Sequence, residues 1–140
     1  MRARTRGGVV FAIAAIVLVA TLALTGTSTA HKRLFNASLT LSLNRVPAGD
    51  TASGKLKTAQ QCTAGRVVSV FQDVNPTQVF DFQSVGKATT DATGAWTLPI
   101  QGGIKKGDAY FARVSKRRLV DNSRHKHTCK GAFSPRVVGS

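Results

Sequence analysis

Glutamate does not occur in this 140-residue chain, and its six acidic residues are all aspartate. Hydrolysis by paired carboxylates needs two acids brought together, one of them with a raised pKa. Asp50, Asp73, Asp81, Asp91, Asp108 and Asp121 stand mostly in turn-like contexts, where aspartate serves the backbone. The Gly-x-Ser-x-Gly elbow that exposes a nucleophilic serine is also missing. With neither constellation in place the chain reads as non-catalytic. Methionine occurs once, at Met1, which argues against Met-rich copper motifs. Aromatic residues make up 6% of the chain, and Tyr110, Phe111 and Phe133 read as core. A platform for stacking bases is therefore absent, and specific nucleic-acid reading with it.

Two cysteines, Cys62 and Cys129, are all the chain holds, and their spacing is far from the CxxC of a reactive thiol pair. In an oxidising compartment they make one disulfide. The compartment follows from the N-terminus. Arg2, Arg4 and Arg6 precede an uncharged apolar run from Val9 to Leu24, and Ser28-Thr29-Ala30 supplies small residues for cleavage. The run falls short of the about 20 residues a spanning helix needs, so residues 1–30 read as a helical signal peptide. The mature protein would begin at His31 and be secreted, extracellular or periplasmic and associated with the cell envelope. It would touch a membrane only through an uncleaved leader.

Residues 31–140 are enough for a single domain with one core. Twenty basic residues stand against six acids, and three of the basic ones lie in the leader, which leaves +11 on the mature part. Such a field favours an anionic extracellular polymer or cell surface as partner. Ten of these cations follow residue 104, and the anion-binding candidates among them are Lys105, Lys106, Arg113, Arg117, Arg118, Arg124 and Lys126.

No helical period persists through the mature part. Leu39, Leu41 and Leu43 alternate with Ser38, Thr40 and Ser42, the period of a half-buried strand. Ser53 to Lys57 is a weaker strand, and Arg66 to Phe71 reads as a central strand buried on both sides. Val79, Asp81 and Gln83 alternate with Phe80 and Phe82 in a further strand. In Thr89-Thr90-Asp91-Ala92-Thr93-Gly94-Ala95-Trp96, Asp91 opens a turn and Gly94 closes it at positive φ, with Trp96 as a core anchor. Tyr110, Ala112 and Val114 mark another strand, Lys116 to Lys130 a long basic surface loop, and Phe133 to Val138 a last strand despite Pro135. About seven strands with this punctuation predict an all-β antiparallel sandwich.

The run Gly65-Arg66-Val67-Val68-Ser69-Val70-Phe71, the hairpin Thr90-Asp91-Ala92-Thr93-Gly94-Ala95-Trp96-Thr97-Leu98 and the strand Ala109-Tyr110-Phe111-Ala112-Arg113-Val114 together resemble the carboxypeptidase regulatory-like, transthyretin-like modules. The resemblance covers roughly Ser53 to Val138. It implies a Greek-key β-sandwich with a non-catalytic binding or structural role and no cofactor, and it carries no ligand residues over.

Histidine supplies the remaining chemistry. His125 and His127 are two apart, so in an extended segment both rings point the same way, and neutral imidazoles suit zinc or copper. Cleavage before His31 would add an amine and a third ring, giving a second reading as a small copper- or zinc-binding protein. Lys32, Arg33, Arg124 and Lys126 oppose a dication there. Asn36-Ala37-Ser38 matches a glycosylation sequon.

Overall fold

The computed structural model describes residues 30–74 and 81–140. Leader residues 1–29 lie outside them, as do Val79 and Phe80. Among the described residues the chain is all-β. Its strands are β1 (His31–Phe35), β2 (Ala37–Leu39), β3 (Ser42–Asn44), β4 (Thr51–Thr58), β5 (Val67–Asp73), β6 (Phe82–Thr89), β7 (Ala95–Pro99), β8 (Ala109–Val114), β9 (Arg117–Asp121), β10 (His125–Cys129), β11 (Ala132–Phe133) and β12 (Val137–Val138). A single 3-10 turn, Gln60–Cys62, interrupts them between β4 and β5.

Two antiparallel sheets share one core. In the first, β4 pairs with β2 and β3 and with β7; in the second, β5 lies between β6 and β8, and β8 carries β11 and β12. Leu39, Leu41, Ala52, Leu56 and Trp96 from the first meet Val68, Val70, Tyr110, Ala112 and Val114 from the second in one buried cluster. Each large apolar side chain so buried contributes about 1.5–3 kcal/mol. Trp96 is a core anchor, 3% exposed.

The segment read as the weaker strand is the centre of the first sheet, pairing with β2, β3 and β7. Gly54 explains this: a Cβ there would lie 2.0 Å from the Thr40 carbonyl and 2.7 Å from Trp96 Cζ2. Only a bare α-carbon lets Thr40 and the Trp96 ring close on β4, and a glycine lowers a strand's apparent propensity. The hairpin matches its reading. Gly94 sits at φ +83, and Asp91 Oδ1 accepts from Thr93 N at 2.7 Å, Thr93 Oγ1 at 2.8 Å and Ala95 N at 3.0 Å.

Four readings need correction. β5 is central in its sheet but buried on one face only, with Val68 and Val70 inside and Val67 52% exposed. Phe133, taken as core, is 64% exposed under the Arg113 guanidinium. Phe133 to Val138 does not make one strand. It splits into β11 and β12 around Ser134-Pro135, and both parts pair with β8. Proline offers no N–H to the ladder, so Ser134 spans the gap: its N donates to the Ala112 carbonyl, and its Oγ accepts from Ala112 N.

A third sheet positions the site. Lys116 to Lys130 is not a loop but holds the antiparallel pair β9 and β10, on which β1 adds in parallel. Neither face of this third sheet is apolar enough to show a period-2 pattern, so its charge disguised it. The Cys62–Cys129 disulfide, as expected, closes a 67-residue separation and ties the end of β10 to the 3-10 turn.

Candidate anion groove and histidine cluster

Strand geometry sends successive side chains to opposite faces, and β1 and β10 are in register as His31 with His125, Lys32 with Lys126, Arg33 with His127, Leu34 with Thr128 and Phe35 with Cys129. One face of the three-stranded sheet therefore gathers lysines and the other gathers histidines. On the lysine face lies an open groove of about 580 Å³. Lys32, Lys116, Arg118, Lys126 and Lys130 surround it, and Leu34 and Val120 form an apolar floor. The one acid in its wall, Asp121, pairs with Arg118 at 2.6 Å. Both partners are exposed, so the pair contributes little.

A second hollow, about 330 Å³, shares Lys116 with the first and adds Lys87 and Arg117. Arg117 is held by carbonyls rather than by an acid: Nη2 donates to Gln61 O at 3.3 Å, and Nη1 donates to Ala64 O at 3.3 Å and to Gly65 O at 3.4 Å. Its charge thus remains available to an outside anion.

Arg66, 2% exposed, is a buried strut in the wall of the second hollow. Its guanidinium donates to Cys62 O at 3.2 Å, Ser115 O at 2.5 Å and Lys130 O at 3.1 Å. Burial, and then the Arg117 charge, lowers its pKa from the ordinary arginine value. In the sequence Arg66 shows only as the start of a strand, because nothing local distinguishes a buried arginine from a flanking one.

The anion-binding candidates divide. Arg118 and Lys126 line the groove, joined by Lys32, Lys116 and Lys130, and Arg117 lies in the adjoining hollow. Arg124 stands at the β9–β10 turn, beside His31. Arg113 covers Phe133. Lys105 and Lys106 precede β8, whereas the groove lies beyond its other end, six residues or about 20 Å along.

On the opposite face the three histidines meet. His125 Nδ1 is 3.2 Å from His31 Nδ1, and His127 Nε2 is 3.2 Å from His31 Nε2. The Phe35 ring stands edge-on to His127 with centroids 6.1 Å apart. Desolvation, then the charges of His125, His127 and Arg33, lowers the His31 pKa and favours the neutral ring. The His31 main-chain N donates to the Arg124 carbonyl at 3.0 Å, within the sheet.

Comparison of the sequence with protein-family models and with curated proteins gives no match. The disulfide is compatible with an extracellular location, and no helix among the described residues is long and apolar enough to cross a membrane.

Proposed function

We propose that this chain is an exported, non-catalytic module that binds an anionic polymer of the extracellular or cell-envelope surface through the groove of β1, β9 and β10. The observation that carries this reading is the convergence of five cations on one hollow with a single, already paired acid. Four of the five, Lys116, Arg118, Lys126 and Lys130, lie within one basic stretch of chain, and folding adds Lys32 from β1 beside Lys126. The adjoining hollow at Lys116 prolongs the positive track and fits an extended polyanion better than a lone small ion. The floor is aliphatic rather than aromatic, which favours acidic polysaccharide or a phosphate polymer over stacked bases. The resemblance to carboxypeptidase regulatory-like modules, with Greek-key connectivity and a binding role, accords with two sheets sharing one core.

The test is affinity for a sulfated or uronic-acid polysaccharide and for polyphosphate, measured from about 0.05 to 0.2 M salt, where exposed charges lose reach as the Debye length falls below about 10 Å. Binding should weaken steeply over that range. The double substitution Arg118→Glu with Lys126→Glu should abolish it, while Lys105→Glu with Lys106→Glu, at the far end of β8, should leave most of it. Equal loss from both pairs would reduce the effect to net charge and refute a groove.

A further inference from the structure

We infer that His31, His125 and His127 form a binding site for a borderline divalent transition-metal ion, with copper(II) held most tightly. Three imidazoles from two strands converge, and their candidate ligand nitrogens all lie within 4.8 Å of one another. Metal–nitrogen bonds of about 2.0–2.1 Å set neighbouring ligand nitrogens about 2.9 Å apart in the tetragonal geometry copper(II) prefers and about 3.3 Å apart around a tetrahedral ion, a range that brackets the observed spacing. The two closest nitrogen pairs, both made by His31, are already at 3.2 Å. Because His31 offers Nδ1 to one neighbour and Nε2 to the other, a side-chain rotation is needed to bring one nitrogen from each ring onto a common ion. The strands need not move, since the parallel register holds His31 beside His125.

The donor set selects the metal. It contains three imidazoles and no carboxylate or cysteine, which suits copper, nickel or zinc and disfavours calcium or magnesium. Among these, copper(II) heads the divalent affinity order. Arg33, paired with His127 in the ladder, stands beside the site and opposes a dication. The same charge favours an anion, such as chloride or a carboxylate, in the coordination position the protein leaves open. Lys32 and Lys126 project to the other face and burden the site less. The His31 main-chain nitrogen is engaged with Arg124, so the site uses rings and does not require a free amine at residue 31.

The ion would join β1, an edge strand, to β10. This site faces away from the groove and does not depend on polymer binding, so either can fail without the other. The experiment is titration of the exported protein with copper(II), followed by calorimetry and by electron paramagnetic resonance of the frozen complex. Only three histidines exist in the chain and both cysteines are bonded to each other, so imidazole nitrogen splittings report these rings alone. One ion per chain with three imidazole nitrogens is expected. His125→Ala and His127→Ala should each lower affinity by more than the roughly 10–100-fold that loss of an outer-shell partner costs, with thermal unfolding as the check that the fold persists. A folded protein that binds no copper, or a copper signal indifferent to both substitutions, would overturn the assignment.

Discussion

Replacing Arg66 with methionine isolates what one buried cation contributes to this fold. Methionine keeps the apolar stem and removes all three donors, leaving the carbonyls of Cys62, Ser115 and Lys130 without Arg66. A hydrogen bond from a charged donor contributes about 1.5–3 kcal/mol, and an abandoned buried acceptor costs about 1–3 kcal/mol. Three such bonds would exceed the stability of many small domains. Against this stands the relief of no longer burying a charge, which the lowered pKa registers. A net loss of about 3 kcal/mol is the resulting expectation, or about 12 °C in Tm for a domain of this size. Differential scanning calorimetry with the disulfide intact reads it directly. Arg66→Lys should recover only part, because one ammonium cannot reach three carbonyls set by a planar fork. A shift below about 2 °C for the methionine variant would refute the strut, and would mean that the Cys62–Cys129 bond and the Arg117 hydrogen bonds hold the 3-10 turn without it.

Three further outcomes are expected. Gly94→Val places a β-branched residue at φ +83 with its Cβ 2.2 Å from the Leu56 carbonyl, and should cost about 2–4 kcal/mol in denaturant titration; an unchanged midpoint would contradict the turn. Removing the disulfide by Cys62→Ser with Cys129→Ser should cost about 2–5 kcal/mol, visible as a lower Tm than that of the oxidised wild type. The Thr93 hydroxyl, then the Thr93 main-chain N–H, hold the Asp91 carboxyl below its ordinary range against a smaller desolvation effect. The unfolded chain therefore binds that proton more readily, and stability present above about pH 3.9 should fall as the pH drops further. Asp91→Asn should flatten that acid limb in a Tm-against-pH series.

What the sequence disclosed depended on whether a residue's role was local. The Asp91–Gly94 hairpin is written in turn chemistry, and the core face of Leu39 and Leu41 in period-2 spacing, so both were legible directly, whereas the unbroken β-branched run around Val68 and Val70 hid which face of β5 is buried. The disulfide followed from there being two cysteines. The β9–β10 hairpin was hidden because Lys, Arg and His occupy both faces of an exposed sheet, where burial imposes no pattern. Gly54 hid the central rank of β4, since its value lies in the approach of Thr40 and Trp96. The candidate site was half visible. His125 and His127 announce themselves by spacing, and their meeting with His31 was raised only through a presumed cleavage. The register that brings Lys32 beside Lys126 is a parallel pairing across most of the chain, and no local rule points to it.

The most direct measurement is residue-level mapping of polymer binding by NMR, titrating a short acidic oligosaccharide and a short polyphosphate into isotopically labelled protein. Amide shifts should concentrate at Lys32, Leu34, Lys116, Arg118, Val120, Lys126 and Lys130, grow as salt is lowered, and spare Lys105 to Gly107. Shifts centred on Lys105 and Lys106 or on the exposed Phe133, or no saturable shifts with either anion at low salt, would contradict binding in the groove.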